Sequence, residues 1–139
     1  MLGLLKRQKG FTLIELLAVI VLIALMFSMA VPVSYDMVRR YRAVLRAQEV
    51  MTYVSELRRD SFLYSEEHLL DSRDNTLTVD GNDIPFPGAL ITVESPILFY
   101  RTGATSSGSI QIIVDKEHYR LNVTAPFGAL NLEPEETTA

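Results

Sequence analysis

An apolar segment that contains a single carboxylate constrains this chain more than any other feature. The leader, residues 1–10, carries three cations and no acidic residue. Phe11 opens the segment, Glu15 is its fifth residue, and Leu16–Val33 is apolar almost without interruption. A charged side chain at the bilayer centre costs ~2.5–3.5 kcal/mol on insertion scales. Glu15 should therefore have a partner, and the segment itself contains no basic residue.

Two ordinary interpretations of this segment compete. As a signal peptide it has a basic start, an apolar core and a small-residue cleavage site at Ser28-Met29-Ala30. As a single-span anchor, Leu16–Val33 at ~1.5 Å per residue crosses most of a ~30 Å hydrocarbon core. Neither interpretation explains Glu15. Pro32 removes one backbone donor, so a kink or local unwinding of the helix is expected there.

A third interpretation comes from Lys9-Gly10-Phe11-Thr12-Leu13-Ile14-Glu15 and the apolar residues after it. These residues resemble the class III signal of type IV prepilins and type II secretion pseudopilins. The resemblance implies that a prepilin peptidase cuts after Gly10 and that the new terminal Phe11 is N-methylated. It also implies that Glu15 meets the terminal amine of a neighbouring subunit during filament assembly, and that Pro32 is a family feature. Only this interpretation gives Gly10, Phe11 and Glu15 one explanation.

Charge alone does not fix the membrane topology. The leader cations Lys6, Arg7 and Lys9 favour a cytoplasmic N-terminus, whereas four arginines beyond the segment favour the opposite orientation. The family resemblance implies an inner-membrane protein with its N-terminus in the cytoplasm and its C-terminal domain in the periplasm. The subunit would then pass into a filament.

Length and composition leave room for one exported domain. The expected parts are a cleaved leader (1–10), a transmembrane and filament-core helix (11–33) and a globular domain (34–139) within the 139 residues. There is no cysteine, which excludes disulfides and Cys-based metal sites. The formal charge is −4, and loss of the three leader cations would leave −7. Such an acidic domain is a poor candidate for phosphate-backbone binding, so no nucleic acid partner is expected.

The helix is expected to continue past the membrane segment. Residues Ser34 to about Glu67 contain no glycine or proline. Apolar residues recur there every three or four positions and predict one buried stripe, which consists of Ala43, Ala47, Val50, Val54 and Leu57. The charged residues between them, Arg46 and Glu49 included, are interpreted as a solvated and unpaired face.

Short β-rich runs follow a polar break at Asp71–Asn75. The predicted strands are Leu77–Val79, Ala89–Val93, Ile97–Tyr100, Ser109–Val114 and Tyr119–Val123. Hairpin turns are predicted at Asp80–Asp83 and Asp115–His118, and Pro85 and Pro87 exclude a central strand there. The expected fold is α+β: a long N-terminal helix, half anchor and half amphipathic, packed on an antiparallel β-sheet as a pilin-like roll.

The second half of the chain indicates a particular group within this family. The runs at 97–100, 110–114 and 119–123, with the turn Pro126–Leu130, resemble the C-terminal hairpins of the GspH/FimT group. Residues 62–95 match no recognisable pattern, and their function is open.

No catalytic, cofactor-binding or metal-ligating set is predicted. His68 and His118 lack companions at a ligand or triad spacing and are interpreted as solvated surface residues. Asp71, Asp74, Asp80 and Asp83 suggest calcium only weakly, because aspartate also favours turns. Phe99, Tyr100 and Tyr119 are interpreted as sheet and core positions. The Gly/Ser-rich stretch Thr102–Gly108 is either a mobile contact loop or a plain hairpin connection.

Three functions remain open. The favoured one is a minor pseudopilin of a type II secretion system, a non-enzymatic subunit of the periplasmic pseudopilus that drives protein export. Its partners would be the prepilin peptidase, other pseudopilins or pilins, and the inner membrane. The first alternative is a minor pilin of the FimT/FimU kind in a type IV pilus. The second is a DNA-uptake receptor, which the acidic tail 133–139 disfavours because no cation follows Arg120.

Overall fold

The structure is a computed structural model that describes residues 10–136. It contains one long helix, α1 (Leu13–Leu63), followed by eight strands. These are β1 (His68–Arg73), β2 (Thr76–Val79), β3 (Asn82–Ile84), β4 (Ala89–Val93), β5 (Ile97–Phe99), β6 (Gly108–Val114), β7 (Glu117–Thr124) and β8 (Ala129–Pro134). The chain divides into two compact units, with the boundary after Arg39. The boundaries predicted at residues 10 and 33 stay predictions.

The C-terminal end of α1 is capped by backbone hydrogen bonds. Ser65 adopts a left-handed conformation with φ of 53°. The Glu66 N–H then donates to the Ser61 carbonyl at 3.1 Å, and the Tyr64 N–H to the Asp60 carbonyl at 2.9 Å. The bond from Glu66 to Ser61 is the six-to-one hydrogen bond of a Schellman motif, which satisfies carbonyl groups at the end of a helix and terminates it. The continuation of the helix past the membrane segment is confirmed, and α1 ends at Leu63, within the stretch to about Glu67 that contains no glycine or proline.

The predicted stripe of α1 is confirmed. Its five members are all buried, and the buried face extends one turn further to Ser61, whose hydroxyl donates to the Leu57 carbonyl at 2.9 Å. The opposite face differs from expectation because some of its charged residues are paired; the closest of these pairs is Arg46 with Glu49, at 3.1 Å. Both side chains are about half exposed, so the pair contributes little, ~0.3–0.5 kcal/mol for helix pairs of this kind.

The strands form two antiparallel sheets instead of the single sheet that was expected. The first has the order β3-β2-β1-β5 and the second β4-β6-β7-β8. The α+β class is confirmed: the helix stripe packs with the inner faces of the strands in one hydrophobic core. Burial alternates along β6 and β7, as expected where one face of a sheet is covered.

Three strands were missed. Strand β1 overlaps the first part of the predicted polar break, β3 takes up the second half of a predicted turn, and β8 runs from the end of the predicted turn Pro126–Leu130 into the acidic tail. Strands β3 and β8 are both at sheet edges, where polar residues and proline are tolerated because one side of the backbone faces solvent. The five predicted strands are confirmed, with ends that differ by one or two residues.

Two aromatic predictions are right and one is wrong. Phe99 and Tyr119 are buried, at 1% and 7% exposure, whereas Tyr100 is 39% exposed because β5 ends one residue before it. The loop beyond is folded onto itself: the Gly103 N–H donates to the Tyr100 carbonyl, and the Tyr100 N–H to the Ala104 carbonyl. Its Gly108 belongs to β6, so the predicted loop is shorter than Thr102–Gly108.

Candidate functional site

The start of α1 is open on all sides within its own unit. A Cβ built on Gly10 would meet no atom within 4 Å. Phe11 is 86% exposed, and every residue from 10 to 38 is classed as exposed. Packing within the described chain therefore gives no reason for a glycine at position 10 or for a phenylalanine at position 11.

Thr12 and Glu15 form the N-cap of the helix. The Thr12 hydroxyl accepts a hydrogen bond from the Glu15 N–H at 3.3 Å, and the Thr12 carbonyl accepts the Leu16 N–H at 3.1 Å. Threonine followed three residues later by glutamate is the capping-box pattern. The sequence analysis missed this role, although the signal Thr12-x-x-Glu15 was readable. Among residues 10–136, no basic side chain lies within ion-pair distance of the Glu15 carboxylate.

The first half of α1 has the length and composition of a membrane span. Among residues 10–136, α1 is the helix that is long and apolar enough to cross a membrane, and no residue of its most apolar stretch is buried. Pro32 lies inside α1, and the helix continues through this position without local unwinding. A bend at Pro32 stays a prediction.

Both histidines are half-buried, whereas the sequence predicted solvated surface residues. The His68 side chain is 18% exposed, and its Nδ1 lies 2.7 Å from Asp80 Oδ2. The other oxygen of Asp80 accepts the Leu69 N–H at 2.9 Å. Burial would raise the pKa of the Asp80 carboxyl, but the hydrogen bonds from His68 and Leu69 outweigh burial and hold that pKa below its usual value.

The acidic residues of 71–83 serve turns and strand pairs. Asp74 and Asp80 occupy left-handed turn positions, with φ of 52° at each. Asp83 pairs with Arg73 at 3.0 Å between β3 and β1, and Asp71 accepts the Ser72 N–H at 2.8 Å. Within residues 10–136, no group of three His, Cys, Asp or Glu side chains is placed to hold a metal ion.

Comparison with known proteins adds two findings. Residues 5–31 match the model of the prokaryotic N-terminal methylation motif, and this range includes Gly10, Phe11 and Glu15. The structure is similar to that of the minor pseudopilin EpsH from the type 2 secretion system of Vibrio cholerae, with a TM-score of 0.53 and 14% sequence identity. The match covers 66% of this chain and 96% of that one. No curated protein matches the sequence.

The motif and the fold together define the class. A methylation motif opens a long apolar helix, and the same helix continues into a domain with the fold of a pseudopilin. The chain thus combines a prepilin-type methylation motif with a pilin-like fold, as the resemblance implied. The roles predicted for Gly10, Phe11, Glu15 and Pro32 stay predictions.

Proposed function

We propose that this protein is a minor pseudopilin of a type II secretion system, a low-copy subunit of the periplasmic pseudopilus that drives protein export. The observation that carries the proposal is the fold likeness to a minor pseudopilin over 96% of that protein's chain. The methylation motif at residues 5–31 supports it, because the class assembles its filaments from subunits processed at that motif.

Processing would occur between Gly10 and Phe11. A peptidase must approach the backbone there, and the space around Gly10 is open on the side where a side chain would lie. The mature chain would begin at N-methylated Phe11, anchored in the inner membrane by the exposed apolar half of α1. Its N-terminus would face the cytoplasm and its C-terminal domain the periplasm.

Glu15 would then join the subunit to its neighbour. No basic partner for it occurs among residues 10–136, and an isolated carboxylate in an apolar medium is costly. A terminal amine from a neighbouring subunit supplies the missing positive charge in a medium of low dielectric, where opposite charges attract strongly. The capping box leaves this possible, because the Glu15 backbone N–H and not its carboxylate makes the observed bond with Thr12.

Deletion of the gene tests the proposal. Export of folded periplasmic proteins should fall while their synthesis is unchanged, and a copy of the wild-type gene should restore it. Normal secretion with lost twitching motility or surface piliation would instead establish a minor pilin of a type IV pilus. Duplex DNA binding that weakens as salt rises would establish a DNA receptor.

A further inference from the structure

A cleft of about 460 Å³ lies at the C-terminal end of α1. The last turns of the helix form one wall, the loop 102–104 forms a second, and Pro126 with Phe127 forms the third. Two arginines, Arg58 and Arg59, line this cleft, and no acidic residue does. Arg59 pairs with Asp60 at 3.7 Å, so Arg58 is the cation of the cleft that has no carboxylate within ion-pair distance among the described residues.

The Arg58 side chain is held in place by its surroundings. Its Nε donates to the Gly103 carbonyl at 3.1 Å. Its stem lies against the turn before β8, where a Cβ on Gly128 would come within 2.9 Å of Arg58 Cδ. Gly128 has a positive φ of 66°, a backbone conformation that favours glycine. The guanidinium is fixed in one orientation before anything binds to it.

Arg58 has no carboxylate partner among residues 10–136. Among the arginines in residues 10–136, only Arg42 and Arg58 have no carboxylate within 4.0 Å. Arg42 is exposed to solvent, whereas Arg58 is half-buried. Its Nε is used by Gly103, which leaves the two terminal nitrogens for a carboxylate. Arginine binds carboxylates through two parallel hydrogen bonds, and these are stronger than bonds between neutral groups.

Two phenylalanines flank the cleft and are exposed. Phe62 is 60% exposed and Phe127 76%. The ring of Phe62 lies over the loop, 3.3 Å from the position that a Gly103 Cβ would take. Aromatic and arginine side chains are enriched at the energetically dominant centres of protein interfaces.

We propose that this cleft binds an acidic segment of a neighbouring filament subunit, with a carboxylate on Arg58 and an apolar side chain between Phe62 and Phe127. The proposal rests on the proposed function, because it needs a filament. Charge complementarity selects the occupant: a neutral or basic segment would cover the half-buried guanidinium without pairing it, which costs free energy.

Photo-crosslinking in cells that make the whole secretion apparatus tests this. The full-length chain carries p-benzoylphenylalanine in place of Phe127, and the adducts are identified by mass spectrometry. The expected adduct is a peptide of another pilin-like subunit with an aspartate or glutamate next to an apolar residue. Arg58→Gln should lower its yield at least about fivefold, since charged hydrogen bonds are worth ~1.5–3 kcal/mol. Arg58→Lys should retain part of the yield, because it keeps the charge without the bidentate geometry.

Arg101→Gln is the control, because Arg101 is an exposed arginine that does not line the cleft and pairs with Glu67 at 3.9 Å. It should leave the adduct unchanged. An adduct that forms only with lipid, or with a segment lacking acidic residues, overturns the inference. So does a subunit that co-purifies with the filament but gives no adduct, and the proposed function then stands. A subunit that never co-purifies with other pilin-like proteins overturns both.

Discussion

Leu70→Ala should destabilise the exported domain strongly, and Leu69→Ala should not. Leu70 is 0% exposed in β1, where it pairs with Val79 of β2 and Ile97 of β5. Leu69, the preceding residue, points to the other face and is 42% exposed. Replacing a fully buried leucine by alanine costs ~2–5 kcal/mol through lost transfer free energy and the cavity left behind. At an exposed site the cost is about 0.5 kcal/mol or less.

Urea unfolding of a fragment from Ser34 to Ala139, followed by circular dichroism, measures the difference. With a denaturant slope of ~1–3 kcal/mol per molar urea for small domains, a 3 kcal/mol loss moves the midpoint by roughly 1–3 M. The two variants lose the same β-propensity, so this contribution cancels in the comparison. A one-residue slip of β1 would exchange the two faces. Equal losses, or a larger loss in Leu69→Ala, would refute the burial and register assigned to β1.

Three further outcomes are expected. Glu15→Ala and Glu15→Gln should both insert into the membrane and be cleaved normally but enter the filament poorly. Thr12→Ala, which removes only the hydroxyl of the helix cap, should enter the filament normally. Co-purification with the filament measures entry, and equal entry of all three variants would contradict the charge-pair role of Glu15. Asp80→Asn keeps a residue that tolerates the left-handed conformation but loses the carboxylate whose lowered pKa stabilises the fold. Because a lowered folded-state pKa contributes stability above the unfolded value and loses it as pH falls through the folded value, the wild type should be more stable at pH 7, and the difference should shrink as the pH falls below about 4. A difference in urea midpoint that is constant between pH 7 and pH 3 would exclude this. The fragment from Ser34 should be a folded monomer in analytical ultracentrifugation and should not bind duplex DNA at physiological salt, and a stable oligomer or a salt-sensitive DNA complex would contradict that expectation.

The helical part of the fold was readable because its period is strong. A stripe from Ala43 to Leu57 has one helical interpretation, and burial follows it residue by residue. Ala89–Val93 was likewise predicted with its observed bounds, because three consecutive β-branched residues, Ile91-Thr92-Val93, end an uncharged run that follows Pro87 and Gly88.

Strand β1 could not be predicted from the sequence, because most of the residues through which it pairs with β2 are polar. Asp71 and Ser72 look like a break, yet the Ser72 hydroxyl accepts the Val93 N–H at 2.8 Å and so links β1 to β4. Strand β8 ends in Pro134, a residue that sequence patterns exclude from strands but that a sheet edge accepts. Tertiary contacts decide both strands.

The two candidate sites also differ in how far the sequence alone could predict them. Gly10, Phe11 and Glu15 form a local motif, so a linear pattern is enough to find them. Arg58 acquires its character from Gly103 and Gly128, which come from loops far along the chain. Its charge was visible in the sequence, but its fixed orientation and missing partner were not.

Intact-mass and N-terminal analysis of the protein extracted from membranes tests the central claim most directly. A pilin-like filament subunit should appear as a chain that begins at Phe11 with one added methyl group, and Gly10→Val should appear uncut because its branched side chain obstructs the approach to the backbone. A wild-type chain that keeps its leader, or that begins at Val31 as a signal peptide cut would leave it, would contradict the account.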